Sequence, residues 1–433
     1  MIERYATPAF KLFDEHNKLT LQLLVEKAIA QANFNIGKIP QDAWEDIEKN
    51  CNPDFVKLDR VNEIEKQTSH DLMAVVLAIT EQCSVGGKYI HLGATSMDVQ
   101  DTVLGLQLSH AKEILLQSAK AVIQELARLT QEHRNVVCIG RTHGQHAIPM
   151  TQGFKFANFL SEFLISYDQL KNAKVNYGKI SGAIGSYASY KTFEIENQVL
   201  EQLGLQKALV TTQIVPRVLF MPFLSALVSV SASAERLAKE IRNLQRPEIG
   251  EWFEGFSSTQ VGSSTMPHKR NPHKSERICG LTRIIRNLYA AQAENIAVEH
   301  ERDLTNSAPE RITFGDMIGL TDFILVDLKK ILSKLQLDYE KIDRNLHLMQ
   351  GRQMAEAVMI SLADKIGRQE AHEILNRISS EPDFKKAISS NDVLAANLSK
   401  DEIEQLLEPK NYLGLIQEKI DMVLKEYKLK LRN

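Results

Sequence analysis

The chain has 433 residues, of which 43% are hydrophobic and 25% charged, with a formal net charge of −3. That length is ample for a full core and suggests two to four folding units of ordinary globular composition. The near-balance of charge removes any global electrostatic case for nucleic acid or a membrane surface as the main partner.

The N-terminus, Met1-Ile2-Glu3-Arg4-Tyr5, lacks the charged-then-apolar pattern of a secretory leader. No stretch approaches the ~18 consecutive apolar residues of a membrane span. Cys51, Cys83, Cys138 and Cys279 are scattered, without CxxC or metal-ligand spacing, as expected of thiols in a reducing compartment. These features together predict a cytoplasmic protein. Residues 1 to 93 are expected to form a helical N-terminal domain. Two polar segments interrupt the apolar rhythm, Thr68-Ser69-His70-Asp71 and His91-Leu92-Gly93-Ala94-Thr95-Ser96-Met97-Asp98. His70-Asp71 fits a helix start as well as a functional pair.

From Leu104 the apolar or small residues Leu108, Ala111, Leu115, Ala119, Val122, Leu126 and Leu129 recur in steps of three and four, one stripe of a helix. The same rhythm runs through Phe220, Leu224, Leu227, Val230, Ala234, Leu237, Ile241 and Leu244, and a third run spans Ile318 to Leu335. Runs of about 25 residues correspond to roughly 40 Å each, beyond the usual globular helix, so side-by-side bundling is expected. The predicted fold class is all-α, with a central long-helix domain over 94–345 and a smaller helical C-terminal domain over 346–433. Strand signals are weak: no Asn-Gly or Asp-Gly turn separates alternating apolar runs. Glycine-rich interruptions fall at Gly178–Gly185 and from Gly250 to Pro272, the second long enough to suggest function.

Three more polar segments lie in this region: Gly140-Arg141-Thr142-His143-Gly144-Gln145-His146, the loop Gly262-Ser263-Ser264-Thr265-Met266-Pro267-His268-Lys269-Arg270-Asn271-Pro272, and His300 to Arg311. His143 and His146 are spaced i, i+3, but no third ligand follows at a metal-site spacing. His268-Lys269-Arg270 is too short, and too poor in aromatic neighbours, for a nucleic-acid patch.

Taken together, these segments resemble the aspartase/fumarase superfamily, whose loop signature is Gly-Ser-Ser-x-Met-Pro-x-Lys-x-Asn. In family order the chain also carries Arg4-Tyr5, the Thr-x-His-Asp segment, Thr95-Ser96, Arg-Thr-His-Gly-x-His, Lys-x-Ser-Gly-Ala-x-Gly and His-Glu-Arg-Asp with a following Ser. Within the superfamily they are similar to the adenylosuccinate lyases of shorter bacterial and archaeal form, over nearly the whole chain and least clearly after residue 350.

The resemblance implies a three-domain all-α fold, a homotetramer whose active sites are shared between subunits, a nucleotide substrate, and no metal or cofactor. It implies elimination of fumarate from adenylosuccinate and from the related ribotide SAICAR. Ser263 would be the base, with Lys269 lending positive charge nearby. His143 would be the general acid, a residue type that changes charge near neutral pH, with His70 assisting and Glu276 orienting the acid. Substrate contacts would come from Arg4, Tyr5, Ser69, Asp71, His91, Thr95, Ser96, Gln213, Asn271, Arg277, Arg302, Ser307 and Arg311. The arginines suit a phosphate because their planar donors pair with its oxygens. The chain departs from many relatives after Arg217, where Val218-Leu219-Phe220 replaces a polar triplet. A lyase for a phosphate-free aspartate adduct, or a non-catalytic protein on the same scaffold, are the competing expectations. The arginines disfavour the first, and retention of Ser263, His143, Lys269 and Asn271 disfavours the second.

Overall fold

A computed structural model describes residues 2–255, 266 and 269–431. It is an all-α structure with, among the described residues, only three small two-stranded sheets. The elements that matter for function are α1 (Glu15–Asn35), α2 (Asp71–Gln82), α3 (Ser96–Glu132), β1 (Val137–Thr142), β2 (Gln145–Thr151), α4 (Gln152–Asn172), α5 (Met221–Leu244), α6 (His273–Glu294) and α7 (Ser307–Leu332).

The apolar stripes are the core. Leu108, Ala111, Leu115, Ala119, Val122 and Leu126 of α3 are fully buried, as are Leu227, Val230, Ala234, Leu237 and Ile241 of α5. At 37 residues, α3 spans about 55 Å. Arg217–Leu244 is, among the described residues, the one helical stretch long and apolar enough to cross a membrane, and half of its apolar window is buried inside the chain. Pro222 sits in the first turn of α5, where a missing N–H costs little. The apolar replacement after Arg217 divides by position: Phe220 is buried edge-on to Tyr177 and Phe314, whereas Val218 is exposed.

The chain forms two compact units, each from three segments. Unit 1 comprises Met1–Ala119, Ser166–Ala232 and Gly280–Val326; unit 2 comprises Lys120–Ile165, Ser233–Cys279 and Asp327–Asn433. In unit 1, α1 and α2 pack with residues 180–205 in one apolar cluster that includes Leu23, Ile29, Ile79, Ile195 and Val199. In unit 2, Phe156 stacks on Trp252 with centroids 4.6 Å apart, and a separate cluster including Val358, Leu375 and Phe384 gives the C-terminal helices their own core.

The strand reading needs correction at one place. β1 and β2 form an antiparallel hairpin joined by His143 and Gly144 alone, between the paired residues Thr142 and Gln145. Both turn residues have positive φ, 54° and 73°, the conformation required by a two-residue type I′ turn. Histidine is among the few non-glycine residues that tolerate it.

Candidate functional site

The predicted residues fall into two groups, one in each unit. In unit 1, Ser69, His70, Asp71, Ser96, Arg302, Ser307 and Arg311 line one cavity of about 450 Å³. Helix ends build it. Ser69 closes the preceding helix in the left-handed conformation, φ 54°. His70 then caps α2: its Nδ1 accepts the Met73 N–H at 3.2 Å. That bond leaves the ring proton on Nε2, so a neutral His70 is a donor at its free nitrogen. The Asp71 carboxylate accepts from Arg311 at 2.8 Å and Gln100 at 3.2 Å.

Arg302 is the main cation of this cavity. Its Nη1 donates to Gln213 at 2.9 Å and its Nη2 to Ser307 at 2.7 Å, while Nε is buried without a partner among the described residues. Both groups that hold it are neutral, so its charge remains for an anion. Burial and the nearby Arg217 hold its pKa below the ordinary arginine value, against the opposing pull of Asp101, Glu310 and Asp71; an anion in the cavity would relieve that cost.

Thr95 and Ser96 stand at the start of α3. The Thr95 N–H donates to Asp98 at 2.9 Å, and the same carboxylate accepts from the Ser181 and Gly182 N–H groups and from Lys179. Lys179 and Asp98 are both fully buried. The glycine-rich segment is thereby tied to the Thr95-Ser96 turn. Gly185 is required there, since a Cβ would meet the Thr211 carbonyl oxygen at 2.2 Å.

Several predicted residues of unit 1 lie outside the cavity wall. Arg4 is exposed, and the Tyr5 ring packs edge-on to Phe323 at 5.0 Å. His91 is turned inward, its Nδ1 2.6 Å from the buried Glu26 carboxylate. Burial opposes the imidazolium, but the Glu26 bond and charge win, raising the His91 pKa. A raised folded pKa stabilises the fold fully below the ordinary value of about 6.5, and this stabilisation is lost as pH rises through the raised value. His91→Asn, which tolerates the local φ of 62°, is therefore expected to lower the melting temperature more at pH 6 than at pH 9. Equal losses at both pH values would contradict the charged pair.

In unit 2, Lys269, Asn271 and Glu276 line a second cleft, of about 1570 Å³, together with Lys239, Arg242 and Lys341. Ser263 lies outside the described residues. The segments on either side of its loop are joined: Glu254 accepts the Ser275 N–H at 2.7 Å, and Gln245 donates to the Arg270 carbonyl at 2.9 Å while accepting the Glu254 N–H at 3.0 Å. Glu254 thus supplies a negative charge to the first turn of α6, where helix N–H groups lack partners. Arg277 is held by Asp327. His143 stands exposed at the hairpin tip, and Arg141, two residues before it, pairs with buried Glu251. Ser69, His91 and His143 all have positive φ, as does His300 two residues before Arg302. Such conformations cost free energy and cluster where function fixes the backbone.

Sequence reasoning assigned no role to Glu26, Asp98, Asp101, Glu251, Glu254 or Glu310. The one available signal was a carboxylate at a position otherwise suited to the core.

A family profile described as "Lyase" matches residues 3–286, and one described as "Adenylosuccinate lyase C-terminus" matches residues 351–423. The adenylosuccinate lyase of Methanocaldococcus jannaschii is 41% identical over 440 residues, covering 99% of this chain and 95% of its own. That of Pyrococcus horikoshii is 42% identical over 424 residues, covering 96% and 94%. Among solved structures, a fumarate lyase from Mesorhizobium sp. BNC1 matches with a TM-score of 0.90 at 27% identity, covering 98% of this chain and 99% of its own. A 3-carboxy-cis,cis-muconate lactonizing enzyme from Pseudomonas putida matches with a TM-score of 0.90 at 28% identity, covering 98% of each.

Proposed function

Because the chain belongs to the adenylosuccinate lyase family, we propose a division of labour among its residues for that family's reaction. The protein is a carbon–nitrogen lyase that releases fumarate. Ser263 takes the proton from the carbon next to a succinyl carboxylate. The electron pair forms the carbon–carbon double bond, the carbon–nitrogen bond breaks, and His143 protonates the departing nitrogen. A developing dianion needs donors placed in advance; Lys269, Asn271, Thr95 and Ser96 serve, with His70 assisting the acid and Glu276 orienting it. Arg302, Ser307 and Arg311 take the phosphate, aided by Arg4 and Tyr5, and Ser69, Asp71, His91, Gln213 and Arg277 complete the substrate contacts.

One observation carries the nucleotide reading. Arg302 stands half-buried in a cavity, held among the described residues by neutral Gln213 and Ser307, with a buried Nε that has no partner among those residues. A phosphate would supply the negative charge that neither of those two groups provides.

The substrate of this reading is adenylosuccinate, yielding AMP, with SAICAR as a second substrate yielding AICAR. The assembly is a cytoplasmic homotetramer with active sites shared between subunits. An exposed His143 and the exposed apolar residues Ile165, Ile284 and Ile312 on the long helices support it. The three-part division at residues 93 and 345 goes with the same reading. Purified protein mixed with adenylosuccinate should release fumarate, and with argininosuccinate it should not. Cleavage of argininosuccinate alone would overturn the substrate, and a fully active monomer by sedimentation would overturn the assembly.

A further inference from the structure

We propose that Arg217 is a positioning residue that fixes the direction of the Arg302 guanidinium; the inference rests on the reading of Arg302 as a phosphate ligand. Arg302 lies in an irregular stretch between His300, with positive φ, and the start of α7. No helix aims its side chain. Its direction comes from its two acceptors, the Gln213 amide oxygen and the Ser307 hydroxyl. Gln213 also lies in an irregular stretch, so its own place depends on what holds the segment around it.

Arg217 is 4% exposed and holds both supports at once. Its Nη1 and Nη2 donate to the two Asp101 oxygens at 2.8 and 2.9 Å, and its Nε and Nη2 to the two Glu310 oxygens at 2.8 and 2.9 Å. Nη1 also reaches the Val215 carbonyl at 2.9 Å, while the Val215 N–H donates to Asp101 at 2.6 Å. The segment carrying Gln213 is thereby pinned to α3. On the other side, Glu310 accepts from Asn306 at 3.1 Å, one residue before Ser307, which ties the start of α7 to the same guanidinium. The planar fork of arginine serves two carboxylates in fixed geometry, and lysine, a point charge on a flexible stem, does not.

The clamp also keeps competing anions away from Arg302. Asp101 and Glu310 both add to the negative field at Arg302. With Arg217 in place they are occupied; without it they are left to compete for the cation meant for substrate.

The experiment compares three variants of the full-length protein: Arg217→Lys; the charge-free set Arg217→Met, Asp101→Asn and Glu310→Gln; and Arg302→Ala as control. Fumarate release gives KM and kcat for adenylosuccinate, and inorganic phosphate is titrated as an inhibitor and as a ligand that raises the melting temperature. Arg217→Lys and the charge-free set are both expected to raise KM and the phosphate inhibition constant by about 10-fold, the scale of one misplaced charge-assisted hydrogen bond, with kcat within about 2-fold of wild type. The charge-free set leaves no charge buried alone, so it keeps the test available if Arg217→Lys fails to fold. Unchanged phosphate inhibition in a folded Arg217 variant, or a fall in kcat with KM unmoved, overturns the positioning role. Unchanged inhibition in Arg302→Ala overturns the phosphate reading itself, a separate result.

Discussion

Replacing His143 with asparagine is expected to lower turnover by about 10²- to 10⁴-fold, the contribution of a positioned general acid, while leaving the fold intact. The hairpin makes this separation possible. His143 is exposed at the tip and adopts φ 54°, followed by Gly144 at 73°. Asparagine tolerates that conformation, and Asn-Gly is the favoured pair for a type I′ turn. The substitution therefore removes the imidazole without removing the turn, and thermal melting should change by no more than about 0.5 kcal/mol, as for an exposed site. Near-wild-type turnover in the folded variant would remove His143 from the mechanism.

The largest loss of stability is expected at Lys179. Its ammonium and the Asp98 carboxylate are both fully buried. Asp98 is the hub: it also accepts the Thr95, Ser181 and Gly182 N–H groups at 2.9, 3.0 and 3.1 Å. Lys179→Met leaves that carboxylate uncompensated in the interior, which costs about 3–5 kcal/mol. Adding Asp98→Asn removes the stranded charge and should recover part of the loss, because an amide oxygen still accepts from the backbone. Denaturant melts of wild type, both single variants and the double variant close a cycle whose coupling term measures the pair. Additive losses would show that the two groups do not act together.

The long helices were legible because a period of three to four residues is a local property. Leu108 to Leu126 and Leu227 to Ile241 announce themselves within a few turns of chain, and they are the buried residues. The hairpin was not legible. Its turn uses histidine where asparagine or aspartate is the usual signal, and β1 carries a register shift between Ile139 and Arg141 that breaks the alternation. The cavity was half legible. Ser69, His70, Asp71, Ser96, Arg302, Ser307 and Arg311 came from motif order, and they line one wall. The groups that hold that wall were out of reach for a different reason. Asp101 and Arg217 are 116 residues apart, Lys179 and Asp98 81, and His91 and Glu26 65. No periodicity links such pairs. A carboxylate inside a helix stripe says only that some partner exists.

The three-segment make-up of unit 1 puts its assembly under the control of translation. Its apolar cluster joins residues of the first hundred to Ile195, Val199 and Leu200, and its last segment ends at Val326. A ribosome working at about 5–20 residues per second delivers that segment on the order of 10–40 s after Ala119. Until then the emerging polypeptide carries apolar faces whose partners have not yet been made. Its yield in a cell is expected to depend on shielding during that interval, and a transcript truncated before the third segment is expected to give an aggregation-prone fragment rather than a smaller working domain.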